Sequence, residues 1–423
     1  MKKGFLYITI LGLLFFFSCN EKVDDLIPMD QLAEDETPIS RGFAISIELN
    51  DSQEKIADSL HEFSWKLFDQ AYKMRNDLVY NNGHKNVLIS PFSLLVDLSM
   101  LQNGLKGETL EELKNLLGIS DFSVDDINKF IKIMVDGIIY ADDQISFQSA
   151  NSFWYNNSLS INPEFASVLS ESYQAKLQTV DFSNPETTML INKWCEDKTN
   201  GKINRIIDST SPYQDFHLLN AIHYKGGWAK QFSKDETIIA PFHNADGSVS
   251  EVEMMSNPGI STYYSDMDKY SITRLIFRYG AFNMFMILPK AGYSIDDIIS
   301  SIRPADLCRS ETAIVDLSLP KFEIEYGTDK ILNYMQSVDN SFNFRSPDTS
   351  IFTDHNTSID LIIQKAYLGI DEEGSEVAAI TDITNHIHGD TTKSAEMHLD
   401  RPFIYGIVET STNMPLFIGY YGN

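Results

Sequence analysis

Four short apolar runs limit the folds open to this 423-residue chain. Leu218 to Tyr224 and Met284 to Leu288 are near-continuous in apolar side chains yet only as long as one strand, which is the pattern of strands covered on both faces. Phe403 to Val408 and Leu416 to Tyr421 complete the set near the C-terminus, separated by the turn-forming Asn413 and Pro415. Strands of this kind need layers above and below them, and helical patterns are available. Ile56, Leu60, Phe63, Leu67 and Ala71 share one face of a helix predicted to run to about Met74. Ser90-Pro91 predicts a second helix, with Ser as its cap and Pro in its first turn, leading into an apolar stretch. No internal repeat is visible, so the expected class is α+β.

One segment fits neither pattern. From Asp371 to Thr381 the chain reads Asp-Glu-Glu-Gly-Ser-Glu-Val-Ala-Ala-Ile-Thr. Taken with period two, Ser375, Val377, Ala379, Thr381 and Ile383 are small or uncharged, whereas Glu376 and Asp382 fall on the other face. Gly374 and the polar run to Asp390 have instead the composition of an exposed loop. A segment patterned as a strand but composed as a loop suggests a part that changes between the two.

Composition narrows the partners. The net charge is -27 and the sequence pI about 4.6, with basic residues scattered, so phosphate backbones are repelled and no nucleic acid is expected. With 43% hydrophobic residues and 26 Phe, the chain can bury a substantial core. Lys2 and Lys3 precede an apolar run from Phe5 to Phe17 that is too short for a spanning helix and ends in Ser18-Cys19, as a bacterial lipoprotein signal does. Residues 1–19 are therefore expected to be the signal, with Cys19 lipidated as the anchor, and a plain secretory signal is the alternative. Residues 20–50, rich in Asp and Glu, read as an acidic tether, and residues 51–423 as the folded domain. An exported lipoprotein on the outer membrane or cell surface is expected, and the periplasmic face stays open. Asp24 and Asp25 are a weak pointer to an outer surface. Beyond Cys19 only Cys195 and Cys308 remain, and spacing does not say whether they pair; two buried thiols are expected.

Catalytic motifs are missing. The sequence has no Gly-x-Ser-x-Gly elbow, His-Glu-x-x-His pair, Cys-x-x-Cys pair or phosphate-binding glycine loop. His386 and His388 form a His-x-His pair without an evident further ligand, so neither a metal nor another cofactor is expected, and the chain is not expected to be an enzyme.

The closing sequence His398-Leu-Asp-Arg-Pro-Phe-Ile-Tyr405 and Pro415-Leu-Phe-Ile-Gly419 resembles that of the serpin family. In the same order come Asn86 to Leu101 with Gly104, Gly107, Thr109 and Glu112, then Asn151 to Phe182, the run from Ile191 to Ile203, and Leu218 to Phe232. The resemblance covers about 370 residues, from near Asp51 to the end. It implies a serpin fold, a single domain of about nine helices and three β-sheets with a large central sheet able to open and an exposed reactive loop. It implies a monomeric suicide inhibitor that traps a serine or cysteine protease when its cut loop enters the central sheet; the alternative is a non-inhibitory surface-binding protein.

The resemblance also assigns residues. Glu373, Gly374, Ser375, Glu376, Val377, Ala378 and Ala379 match the hinge, although Val377 and Ile380 are bulkier than the family pattern. Ser90, Ser93 and Asn220 match the polar shutter beneath the opening sheet, where Gln364 stands in place of a common His. Trp228 and the pair Lys321 and Glu372 match the breach, the point of first entry. Counting about fourteen residues beyond Gly374 puts the reactive bond at His388-Gly389, and counting back about eleven from Pro402 puts it at Thr391-Thr392. Neither offers Arg or Lys, so elastase-like, subtilisin-like or papain-like proteases are favoured over trypsin-like ones, with Ile387 as a hydrophobic contact.

Overall fold

The computed structural model describes residues 42–76, 86–308, 311–342, 347–350, 362–375 and 393–423. In chain order its elements are α1 (Asp51–Lys73), β1 (Val87–Ile89), α2 (Pro91–Gln102), α3 (Gly107–Leu117), α4 (Val124–Tyr140), β2 (Ser146–Asn156), α5 (Pro163–Tyr173) and β3 (Lys176–Val180). Next come α6 (Pro185–Lys198), β4 (Phe216–Gly227), β5 (Ile238–His243), β6 (Val249–Asp266), β7 (Tyr270–Phe277), β8 (Phe282–Pro289), α7 (Ile295–Ile298) and α8 (Pro304–Cys308). The chain closes with β9 (Glu311–Pro320), β10 (Phe322–Thr328), α9 (Ile331–Val338), β11 (Ile363–Ile370), β12 (Gly374–Ser375), β13 (Ser394–His398), β14 (Phe403–Glu409) and β15 (Pro415–Tyr421). Among the described residues there are thus nine α-helices, and the α+β class holds.

Several helices start where a side chain satisfies their free N–H groups. Asn50 and Gln53 form a reciprocal capping box on α1, and the buried Ile56, Leu60, Phe63, Leu67 and Ala71 line its inner face. Ser90 caps α2 with Pro91 at its first position, and Asn162-Pro163 and Asn184-Pro185 start α5 and α6 the same way. All twelve residues of α2 are buried, so this helix has no solvent face. It is wedged between the two strand systems, touching β4 on one side and β15 on the other.

The strands form two hydrogen-bonded networks. The smaller has the order β10-β11-β4-β2-β3, with β12 paired to the end of β4. Helix α6 and its neighbours cover one face of it through Trp154, Ile191, Trp194, Leu219, Ile363 and Tyr367. The main core covers the other through Phe153, Leu218, Ile222 and Tyr224. The larger network has nine strands, because the 18-residue β6 serves two sheets at once. It pairs with β5 through Val249–Met254 and with β9 through Met254–Tyr264, with a register shift between Asn257 and Ile260 inside the β9 pairing, and its last three residues pair with β7. Within it, the apolar runs at β8, β14 and β15 are buried along their whole length, as their composition requires.

Between β4 and β11 lies the feature that matters most for function. These strands run parallel and pair from Leu219–Ile363 to His223–Tyr367, five residue pairs in all. Beyond His223 the partner changes. Gly226 and Gly227 of β4 pair antiparallel with Ser375 and Gly374 of β12. A parallel seam between long strands is thus closed below and already occupied above.

Candidate functional site

The upper end of the seam is built from the segment that the sequence marks as half strand, half loop. A turn at Asp371 turns the chain back, its carboxylate accepting from the backbone N–H of Glu373 at 2.8 Å and of Gly374 at 3.1 Å. Gly374 then lies at φ +141°, where an added Cβ would come within 2.3 Å of the Gly226 carbonyl oxygen and 2.6 Å of the Gly227 Cα. Both are backbone atoms, so only glycine fits. Ser375 follows, fully buried, with its Oγ donating to the Tyr224 carbonyl oxygen at 3.1 Å.

Trp228 anchors this turn from the β4 side. Its backbone N–H donates to Glu373 O and its indole Nε1 to Asp371 O, each at 2.9 Å. The ring is buried and stacks on Phe277 at 4.4 Å. Phe232 N–H adds a bond to Glu372 O at 3.0 Å. Side-chain charges lie around the same turn. Glu372 takes Lys321 Nζ at 3.2 Å and the Thr237 hydroxyl at 2.8 Å, and Glu373 pairs with Lys234. Burial alone would raise the Glu372 carboxyl, but its own backbone N–H, Thr237 and Lys321 outweigh it and hold the group below its ordinary value. The Glu372 side chain is 5% exposed and Lys321 37%, so the pair is only partly solvated.

Beneath the seam sits a chain of buried polar groups. Gln364 on β11 grips the backbone of Ser90, its Oε1 accepting from Ser90 N–H at 2.9 Å and its Nε2 donating to Ser90 O at 2.8 Å. Ser90 Oγ donates to Leu416 O at 2.6 Å. From α2 the chain continues through the Ser93 hydroxyl to Asn220 Oδ1 on β4, from Asn220 Nδ2 to Asn151 Oδ1 on β2 at 2.6 Å, and from Asn151 Nδ2 to Tyr173 O at 3.1 Å. Strands β11 and β4, on opposite sides of the seam, are therefore both tied to the N-terminal turn of α2. Each group in the chain is buried, so cutting one link leaves partners unsatisfied at roughly 1–3 kcal/mol each.

The structure brings Ser90, Ser93, Asn220 and Gln364 into one network, and Trp228, Lys321, Glu372, Glu373, Gly374 and Ser375 into a second. Glu376, Val377, Ala378, Ala379, both reactive-bond alternatives (His388-Gly389 and Thr391-Thr392), the His386–His388 pair and Cys19 lie outside the described residues. Sequence reading did not single out Asn151, Asp371, Tyr224, Thr237 or Lys234. Asn151 carries a signal in retrospect, as an amide within a strand whose neighbours Phe153 and Trp154 are core residues. Cys195 is a free, buried thiol whose burial pushes its pKa up to about 12, which makes it unreactive; the side chain of Cys308 lies outside the described residues. Among the described residues no cluster of His, Cys, Asp or Glu is placed to hold a metal ion, and no helix is long and apolar enough to cross a membrane.

Comparison with known proteins bears on the same span. The family profile described as Serpin (serine protease inhibitor) matches residues 59–423. An uncharacterised serpin-like protein of Thermococcus kodakarensis is 28% identical over 388 residues, 88% of this chain and 86% of its own. Alaserpin of Manduca sexta is 27% identical over 87% of this chain and 94% of its own. Among solved structures, the thermophilic serpin tengpin in its native state superposes with a TM-score of 0.78 at 25% identity, covering 90% of this chain and 96% of its own. Serpins are in general protease inhibitors and not enzymes, which agrees with the missing catalytic motifs. Since the matched residues take in the helix under the seam, both strands beside it and the seated hinge, the chain belongs to the serpin family.

Proposed function

We propose that this protein inhibits a serine or cysteine protease by drawing its own cut loop into the seam between β4 and β11. One observation carries the reading: Gly374 and Ser375 already pair with Gly227 and Gly226, so the first two residues of the incoming strand are in register before any bond is broken. The target's nucleophile attacks a loop carbonyl carbon, the C–N bond breaks, and the new amine leaves with a proton, giving an acyl-enzyme. With its far end free, the loop zips down from Ser375 and carries the acylated protease with it, the strand-insertion mode for which serpins are a named example.

Insertion replaces one short parallel ladder by two antiparallel ones. Around ten new backbone hydrogen bonds at roughly 0.5–1.5 kcal/mol each supply on the order of 10 kcal/mol. A displacement of about 1 Å in the trapped protease slows its chemistry about a hundredfold, and deacylation stalls. The uncut form is accordingly held kinetically. Val377, Ala379, Thr381 and Ile383 present no charge or proline to the core side of the sheet, and Glu376 falls on the other side. Val377 and Ile380 are bulkier than alanine and slow the zipping, which moves some loops toward simple cleavage, but with no charge or proline on the inward face trapping stays favoured.

The bond cut is His388-Gly389 or Thr391-Thr392, and an elastase-like, subtilisin-like or papain-like protease is the favoured class. Cys19 is proposed as the lipidated anchor that holds the domain at a membrane surface through the acidic tether. Incubation with a panel of such proteases tests the reading. An SDS-resistant complex and a large gain in thermal stability after loop cleavage support it; cleavage with neither supports a non-inhibitory binding protein. Sequencing the released C-terminal peptide identifies the bond.

A further inference from the structure

Ile238 and Ile239 open β5, and each is 62% exposed. Successive residues of a strand point to opposite faces, so the start of β5 is bare on both. Among the described residues β5 pairs with β6 alone, Ile238 facing Met254 and Ile239 facing Glu253. Open sheet edges are normally blunted by charge or proline, and here two adjacent β-branched side chains stand in their place. Pro241 does blunt the edge two residues on, and His243 N–H is taken by Asp400 O at 2.8 Å. A further strand therefore finds little edge to pair with, and what remains is a surface of side chains.

Acidic groups rim the two isoleucines. Asp235 and Glu236 come just before them, Glu253 lies opposite Ile239 and Glu251 opposite Pro241, and all four are exposed. The neighbouring cations Lys234 and Lys321 are taken by Glu373 and Glu372. The corner is thus apolar at its centre and negative at its edge. A second copy of this chain would bring the same rim against it, and the net charge of -27 adds to the repulsion. A basic partner is favoured.

The place of the corner in the fold says which partner. Thr237, one residue before Ile238, donates to Glu372 Oε1 at 2.8 Å, so the patch adjoins the turn from which the loop departs at Ser375. The chain returns at β13, and β13, β9, β6 and β5 lie side by side. Three strand spacings put β5 about 14 Å across from β13. Along the strands, Ile238 is level with Met254 and Pro320, and Ser394 with Ile314, a stagger of about 20 Å. The patch is therefore about 25 Å from the point of return, whereas a protein interface of standard size spans about 30 Å. A protease that grips the loop reaches Ile238 and Ile239 as well.

We propose that Ile238 and Ile239, ringed by Asp235, Glu236, Glu251 and Glu253, are a second docking surface for the target protease, fitted to an apolar spot flanked by Lys or Arg beside its cleft. This rests on the inhibitor reading and adds partner selection to it. The loop offers the bond to be cut, and the patch raises the rate at which a protease with a basic rim is met.

The test follows the loss of intact full-length protein under excess protease, a rate that reads docking whether the product is trapped or merely cleaved. Subtilisin, pancreatic elastase and papain are used in turn, at about 0.05 M and about 0.5 M salt. With at least one of them, Ile238→Ser/Ile239→Ser is expected to slow the loss roughly fivefold at both salt concentrations. Glu251→Lys/Glu253→Lys is expected to slow it about tenfold at low salt and little at high salt. Asp121→Lys/Glu164→Lys makes the same charge change at exposed positions outside β5 and β6, and should keep most of the wild-type rate. The ratio of SDS-resistant complex to cleaved product should hold its wild-type value in every variant; a shifted ratio at an unchanged rate would show that the isoleucines act on the hinge and overturn the docking surface. Rates unmoved with all three proteases, or lowered as much by the remote pair, overturn it too while trapping stands. If the wild type is cleaved without any complex, the inhibitor reading falls, and the rates still decide the patch.

Discussion

Ser375 Oγ donates to the Tyr224 carbonyl oxygen at 3.1 Å with the serine side chain fully buried, so the first loop residue lies inside the sheet while the seam below it is still closed. On the proposed insertion reading, the strand pair that parts and the residue that begins to part it are in contact, and the uncut state is poised at its first step.

Ser375→Arg should end inhibition while sparing the fold. Ser375 is fully buried, so seating a guanidinium in its place desolvates the charge at a cost of several kcal/mol. Each 1.4 kcal/mol shifts partitioning tenfold, so SDS-resistant complex per cleavage should fall by more than about tenfold. Gel densitometry after protease treatment measures this. Unchanged complex yield would mean that the loop does not enter through Ser375.

The charged latch predicts a pH dependence of definite sign. Glu372 is held below its ordinary value of 4.5, so its contribution is fully present above that value and is lost as pH falls through the lower folded one. Buried Asp142, raised to about 6 chiefly by burial, works the other way, so total stability against pH mixes the two. The difference between wild type and Glu372→Gln separates them. It should be positive and flat from neutral pH down to about 4.5 and shrink below it. A difference constant to pH 3 would show that Lys321 and Thr237 do not favour the ionised form.

Gln364 ties β11 into the polar network. Its amide both donates to and accepts from the backbone of Ser90, with oxygen and nitrogen side by side. An imidazole carries its two nitrogens in diverging directions and reaches one of those groups at best. Gln364→His should therefore destabilise the intact protein by about 1 kcal/mol, and Gln364→Ala by about 2, the latter leaving Ser90 N–H unpaired and Ser90 O with its helical bond from Leu94 N–H alone. Urea midpoints at constant slope give both numbers. A neutral Gln364→His would mean that water or a shifted ring replaces the second bond.

Much of this is legible in residues. The apolar runs at β8, β14 and β15, the spacing in α1 and the Ser90-Pro91 start are local patterns that tertiary burial reinforces. Of the period-two run that begins at Ser375, Ser375 itself is seen paired with Gly226, and the rest of the run lies outside the described residues. Other features are not local. Pro258-Gly259 inside β6 reads as a turn, yet the strand continues through a bulge fixed by Gly259 N–H donating to Asp316 Oδ1 at 2.8 Å. That bond spans 57 residues, and no window of sequence contains it. Asn151, Thr237 and Lys234 escape for the same reason: each gains its role from a partner more than sixty residues away.

Gly374→Ala tests whether the register seen before cleavage is kept afterwards. A Cβ at this position meets backbone on two sides, and φ +141° is strained for any L residue, so the variant must lift off β4. The intact protein then loses the Gly374–Gly227 and Ser375–Gly226 pairs together with the Ser375 bond to Tyr224. If insertion extends the same ladder, the nicked protein needs that pair in the same geometry and loses a comparable amount. Both melting temperatures should therefore fall, and amide exchange at Gly226 and Gly227 should quicken in both forms. A nicked variant as stable as nicked wild type would show that the hinge changes register on insertion, and the seat at Gly227 would then belong to the uncut state alone.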